Sequence, residues 1–146
     1  MIQSILKARP ESESVYANVP SSRARRRTGA IMTGIAILFL LFDSLGKLVL
    51  VPQVVEGSVQ LGDPDSTVRV IGTILLICVM LYAVPRTSVL GAILLTGYLG
   101  GAVATHFRVG SPLLTHTLFP IYLGALIWGG LLLREDRLRS LVPLRR

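Results

Sequence analysis

The chain contains few cysteines and few charged residues, and each shortage excludes a class of protein. Cys78 is the single cysteine among 146 residues. One cysteine can form neither an internal disulfide nor a CxxC redox pair, so disulfide scaffolds and thioredoxin-like chemistry are excluded. Charged residues make up only 16% of the chain, whereas hydrophobic residues make up 51%. A soluble domain of this length cannot cover so much apolar surface, so the composition indicates an integral membrane protein.

Motifs for catalysis, phosphate binding and zinc binding are also missing. No GxSxG elbow is present, and no serine stands beside either histidine. The glycine-rich run at residues 97–101 lies inside an apolar segment, so it is not a phosphate-binding loop. The spacing of His106 and His116 matches no zinc pattern, and neighbouring cations would repel a metal ion. We therefore predict no catalytic residue and no metal site, which favours a non-enzymatic role.

The charges that are present are mostly basic and lie at the two ends of the chain. Fifteen Lys and Arg residues outnumber eight Asp and Glu residues, giving a formal charge of +7. No aromatic residues alternate with the basic ones, so the pattern favours membrane-flanking tails over nucleic-acid binding. Residues 1–27 lack apolar periodicity and are predicted to be a disordered tail. Residues 134–146 form a second basic tail.

Four apolar segments between the tails are predicted as transmembrane helices. They span about residues 28–51, 68–84, 89–105 and 113–133. Each is near the roughly 17–25 residues that cross a bilayer. Residues 53–67 are predicted to be an acidic loop, and residues 106–112 a short second loop. The first segment also resembles a signal peptide, but no small-x-small cleavage site follows it, which favours a retained helix. We therefore expect an all-α, four-helix, up-down-up-down bundle.

The distribution of Lys and Arg predicts the orientation of the bundle. Twelve lie in the two tails and the turn at Arg86, whereas two, Arg69 and Arg108, lie on the other side. Because basic residues collect on the cytoplasmic side, we expect both termini in the cytoplasm. Lys47 lies within the first helix and does not contribute to this comparison.

Polar residues of the four segments share one predicted depth. At about 1.5 Å per residue, the ionisable ones lie about 24–30 Å from the basic end, near the outward side. The candidate layer contains Asp43, Lys47, Arg69, His106, Arg108 and His116, with Tyr98 and Tyr122 deeper in the outward half. Ionisable groups in a bilayer are costly unless they are paired, hydrated or turned toward the bundle interior.

Two interpretations of this layer remain open. In the first, Asp43 and Lys47 neutralise each other one turn apart, and the remaining residues only reach the water boundary. In the second, the residues share an outward-facing polar pocket in which Asp43 is the anion and Arg69 or Lys47 the cation. His106 and His116 would then exchange protons or bind a ligand.

Small residues form a ridge on the third segment. Gly97 and Gly101 are four residues apart, and Gly100 and Ala104 run beside them. Such small-xxx-small patterns allow another helix to approach closely in a membrane. The pattern leaves open whether the partner helix belongs to the same chain or to another subunit.

Several runs resemble the DoxX-like family of small bacterial membrane proteins. The strongest is LGAILLTGYLGGAVATH at residues 90–106, preceded by YAVPRT at residues 82–87. The runs GKL at residues 46–48 and WGG at residues 128–130 are also similar to the family, so the resemblance covers about residues 34–143. The resemblance implies a four-helix fold in the bacterial inner membrane. It implies little about activity, although some relatives are associated with quinol oxidation or membrane redox complexes, which makes quinone one candidate ligand.

One departure from the family pattern bears on that chemistry. Relatives often carry a Glu shortly after the Arg-x-x-Gly of the second helix, but here Thr73, Ile74 and Leu75 follow Gly72. Proton or quinone chemistry that depends on this Glu is therefore in doubt.

Three functional hypotheses follow. The first is a non-catalytic component that binds lipid, a second copy of itself or a membrane redox subunit through the glycine ridge. The second is a redox accessory that binds a quinone or another small ligand in the outward polar pocket. It would need an electron carrier from elsewhere, because the chain has none. The third is a small transporter or proton pathway, which is disfavoured because no ionisable residue continues through the cytoplasmic half.

Overall fold

The computed structural model describes residues 22–60 and 65–141, and within these ranges the chain is helical without strands. The elements are α1 (Ser22–Val49), α2 (Pro52–Gln60), α3 (Asp65–Ala83), α4 (Ser88–Arg108), a π-helical turn (Leu113–Thr117), α5 (Phe119–Arg134) and α6 (Asp136–Leu141). The predicted all-α class is confirmed.

Three helical spans are long and apolar enough to cross a membrane: Arg23–Val49, Ser88–Arg108 and Leu113–Arg134. The last combines the π-helical turn with α5. The apolar part of α3, Thr67–Ala83, is shorter. Large hydrophobic side chains point outward from these helices, including Phe42 at 75% exposure and Leu38 at 72%. Such an apolar exterior requires an apolar solvent, as lipid provides.

Four of the helices contact one another in a ring. α1 packs against α3 and α5, and α4 packs against the same two helices. Tyr82 of α3 is fully buried at the centre. Its hydroxyl donates to the carbonyl of Ile127 in α5 at 2.9 Å and lies 3.3 Å from the hydroxyl of Thr33 in α1. Because a buried phenol needs a hydrogen-bond partner, this contact helps to set how the three helices are rotated.

Glycines permit close helix contacts, but the glycines of the α3–α4 and α1–α5 interfaces lie outside the predicted ridge on α4. A Cβ added to Gly91 would overlap the backbone of Tyr82, and one added to Gly130 would crowd Thr33. These glycines therefore lie in the α3–α4 and α1–α5 interfaces. The predicted ridge is exposed, and a Cβ added at Gly97, Gly100 or Gly101 would meet no atom within 4 Å. Ala104 is exposed as well. The ridge thus does not pack within the described part of the chain, and its contact with another subunit stays a prediction.

The first helix differs from its predicted bounds at both ends. It begins at Ser22, so the last six residues of the segment that was expected to be a disordered tail are helical, since arginine favours helix. The rest of that tail, residues 1–21, lies outside the described residues. At the other end, residues 53–67 were expected to form a loop, and this expectation is wrong for residues 65–67, which begin α3, and for residues 53–60. The latter belong to α2, which begins at Pro52, where proline's fixed φ suits the first turn of a helix.

Beyond α5, the second basic tail is helical as far as Leu141. Arg25 of α1 forms an ion pair with Asp136 of α6 at 2.5 Å. This pair links the two helices at the basic end of the molecule.

Candidate functional site

A cavity of about 900 Å³ opens between α1, α2, α4 and the start of α5. Its walls are apolar in one part and polar in the other. The apolar lining includes Phe39, Leu40, Ile71, Leu99, Phe119 and Leu123. The polar lining includes Asp43, Lys47, Gln53, Ser58, Tyr98, Thr105, His106, Ser111 and His116. This division suits a ligand with an apolar body and a polar head group.

Asp43 and Lys47 provide the charges of the cavity. They lie one turn apart on α1, and the Lys47 Nζ is 2.5 Å from both carboxylate oxygens of Asp43. The two side chains are 30% and 13% exposed, respectively. Helical spacing places both on one face of α1, and their mutual attraction holds the two charges together within the polar part of the lining.

His106 and His116 face each other across the turn between α4 and α5. Their ring centroids are 6.1 Å apart. The Nδ1 of His106 is 3.2 Å from the hydroxyl oxygen of Ser111, and the Nδ1 of His116 is 2.8 Å from that of Thr115. Each ring nitrogen can donate or accept in these contacts, depending on the tautomer. Both rings therefore hold local partners while they line the cavity.

The chain between the histidines explains how they meet. Gly110 has a φ of +70°, a conformation that glycine adopts without steric cost, and the chain reverses there. The Ser111 amide then donates to the His106 carbonyl at 3.0 Å. In the π-helical turn, the amides of His116 and Thr117 both donate to the Pro112 carbonyl, at 3.1 and 3.2 Å. This tight return places His116 beside His106.

Five of the eight predicted pocket residues line this cavity: Asp43, Lys47, Tyr98, His106 and His116. The other three, Arg69, Arg108 and Tyr122, do not line it and are exposed. All eight were grouped by depth along the helix axes, but depth does not specify the direction in which a side chain points. A ligand-binding role for any of them stays a prediction.

Two polar contributors from α2 were not predicted. Gln53 and Ser58 line the cavity, and Ser58 is only 7% exposed, with its hydroxyl donating to the Val54 carbonyl at 3.0 Å. The sequence does contain a pattern that predicts this helix. Pro52 suits its first turn, and the spacing of four residues between Val54 and Ser58 places both on one inward face.

The ridge glycines contribute space rather than contacts. Gly97 and Gly101 line the cavity, so α4 carries no side chain at these two positions, although Tyr98 and Leu99 of the same helix also line it. Within the described ranges, no three His, Cys, Asp or Glu side chains gather as metal ligands. The groups available to a ligand are therefore hydrogen-bonding side chains, one ion pair and apolar walls.

Comparison with known proteins places the chain in a family. Residues 31–130 match the DoxX-like family, a range that runs from the middle of α1 to the interface glycine Gly130 in α5 and includes the whole cavity lining. No curated protein and no solved structure gave a match. Because the matched range covers more than half of the chain, the protein belongs to the DoxX-like family and is a multi-pass membrane protein.

Proposed function

We propose that this protein binds an amphiphilic small molecule, most specifically a quinone, in the cavity between α1, α2 and α4. One observation supports this proposal above the others: Asp43, Lys47, His106 and His116 line a single cavity whose remaining walls are largely apolar. An apolar ring or tail would lie against Phe39 and Leu99. The carbonyl oxygens of the head group would accept hydrogen bonds from the polar side.

The proposed role is binding rather than catalysis. A quinone changes its redox state only when electrons arrive from a donor, and the sequence carries no motif for an electron carrier. The protein would then hold or deliver the ligand for a membrane redox partner. Because the Glu expected from the family pattern after Gly72 is absent, the proposal includes no chemistry that depends on it.

We further propose that all four long helices cross the bacterial inner membrane, with both termini in the cytoplasm. The support is the concentration of arginine at the basic end, where Arg25 and Arg134 lie, against the sparse basic residues near the cavity. In this orientation the cavity lies toward the outward side of the membrane.

The ligand proposal is tested by quinone binding to the full chain in lipid nanodiscs, with ubiquinone-1 as the probe. We expect saturable binding, weakened about tenfold by either Asp43→Asn or His106→Ala, as expected when one hydrogen bond to a charged or polar group is lost. Arg69→Gln and Tyr122→Phe are controls, because both residues belong to the predicted outward half of the bundle but lie outside the cavity. The proposal fails if the unmutated protein does not bind, or if the control variants lose binding equally.

A second candidate function is docking of another membrane subunit or a second copy on the exposed face of α4. The observation in its favour is that Gly100 and Ala104 are exposed, and an added Cβ at Gly100 would meet no atom within 4 Å. Gly100→Leu should reduce the oligomer size or partner recovery in mild detergent, because close helix approach is lost. Unchanged size and recovery would exclude this function. Gly101→Leu is a less specific test, since Gly101 also lines the cavity.

A further inference from the structure

We propose that α2 is a lid that controls passage of ligand into the cavity, with its hinge at Leu50 and Val51. The inference rests on the proposed function, because it assumes that the cavity is the ligand site. Four α2 residues, Gln53, Val54, Gly57 and Ser58, line the cavity. α2 is thus a short helix lying across one side of the cavity, between the ends of two longer helices.

The hinge has an unusual backbone. Leu50 has a φ of +57°, the one non-glycine residue with a positive φ among the described residues. The Val51 amide donates to the Gly46 carbonyl at 3.0 Å, which closes α1 with the left-handed turn that normally uses glycine. A leucine is held in this conformation only when its surroundings compensate, so the hinge favours a second, relaxed conformation once α2 leaves the cavity.

α2 has few contacts to lose when it moves. It packs against α1 and α3 but has no contact with α4 or α5 within the described elements. Pro52, Gln53, Glu56, Gly57 and Val59 are exposed. The ring formed by α1, α3, α4 and α5 does not depend on α2, so the lid can swing while the ring stays closed.

Val54 and Gly46 form one contact between the lid and α1. A Cβ built on Gly46 would lie 3.8 Å from the Val54 Cβ, and its three nearest neighbours are all Val54 side-chain atoms. Gly46 therefore provides the shallow site against which Val54 rests. The same distance is close to the Cβ–Cβ separation of a disulfide, so this pair can be locked covalently.

The test uses Gly46→Cys with Val54→Cys in a Cys78→Ala background, so that the native cysteine takes no part in the cross-link. A third substitution, Ala102→Cys, places a reporter thiol in the cavity lining. A matched reporter at Ala104→Cys lies on the same helix but outside the cavity and is exposed. The readout is the rate at which a fluorescent maleimide labels each reporter in nanodiscs, with the disulfide mapped by mass spectrometry.

Oxidation should slow labelling at residue 102 at least about tenfold, because the rate follows the fraction of open lids, and reductant should restore it. Labelling at residue 104 should not change. Gly46→Ser with Val54→Ser should leave both rates insensitive to oxidation. Failure of the disulfide to form, or equal labelling at residue 102 in the locked and reduced proteins, would overturn the lid.

The outcome is independent of ubiquinone-1 binding, since labelling needs no ligand. If only the ligand proposal is wrong, the reduced protein will not bind quinone, but the disulfide will still control the labelling rate at residue 102. If only the lid proposal is wrong, the protein will bind quinone, and formation of the disulfide will change neither this binding nor the labelling rate at residue 102.

Discussion

At the residue scale, the glycines of this protein differ in function although they look alike in the sequence. Gly91 lies against the Tyr82 backbone in the α3–α4 contact, whereas Gly34 on α1 has no atom within 4 Å of an added Cβ. A methyl group at the first position must separate two helices, while at the second it only improves helix propensity. The same substitution at the two sites therefore tests the packing directly.

We expect Gly91→Ala to destabilise the protein by about 1–3 kcal/mol, as overpacking of a close contact does. Gly34→Ala should be neutral or stabilising by up to about 1 kcal/mol, because alanine favours helix over glycine. Thermal unfolding in mild detergent would measure both. Equal midpoints for the two variants would contradict the α3–α4 contact.

The Asp43–Lys47 pair has two interpretations, self-neutralisation and ligand binding, which stability and binding measurements separate. Lys47→Met leaves the Asp43 carboxylate without its partner and should cost about 1–2 kcal/mol of unfolding free energy. Adding Asp43→Asn to this variant should recover much of that loss, because the uncompensated charge is removed. Quinone binding should stay weak in both variants. Recovery of binding along with stability would show that the pair only neutralises itself.

At the element scale, the short helix α2 shows how a turn can build part of a site. The left-handed Leu50 ends α1 and redirects the chain so that α2 lies over the cavity rather than continuing away from it. Its position follows from the Val54 contact with Gly46 and from Ser58, whose side chain is buried. A helix brings Val54 and Ser58, four residues apart, to one face, which a loop of the same length need not do.

Leu50→Gly should raise the thermal midpoint, since a glycine relieves about 1 kcal/mol of left-handed strain. Leu50→Val should lower it, because a β-branched side chain is disfavoured there. Circular dichroism melting in detergent gives the comparison. A lower midpoint for the glycine variant would mean that the strain at Leu50 is not significant.

At the scale of the whole molecule, the exposed apolar surface and the arginines at one end suit a protein that crosses a membrane. The basic end combines the start of α1 with the end of α5, held together by the Arg25–Asp136 pair and by the Gly29–Gly130 contact. The opposite end contains the cavity. A molecule with such different ends has one favoured orientation in a membrane.

That orientation is testable with single cysteines in a Cys78→Ala background. Glu56→Cys, on α2, should react with a membrane-impermeant maleimide in intact cells. Arg86→Cys, in the turn between α3 and α4, should react only after permeabilisation, because its side is predicted to be cytoplasmic. The reverse pattern would invert the proposed topology, and with it the side from which ligand reaches the cavity.

Much of the architecture followed from the sequence alone. The apolar lengths predicted helices, the composition predicted an apolar solvent, and the run at residues 90–106 indicated the family. The sequence also placed Asp43, Lys47, His106 and His116 at one depth, because the rise per residue is constant along a helix. Three of the four long helical spans also meet the length and apolarity needed to cross a membrane.

Only the tertiary structure decided which residues at that depth meet. Rotation about each helix axis depends on side-chain packing from several helices at once, such as Tyr82 against Thr33 and Ile127. This rotation turned Asp43 and His106 toward a common cavity and left Arg69 exposed. It also placed Gly91 and Gly130 in the interfaces, while Gly100 remained outside. Sequence spacing therefore determined positions along each helix, and packing between helices determined the directions in which their side chains point.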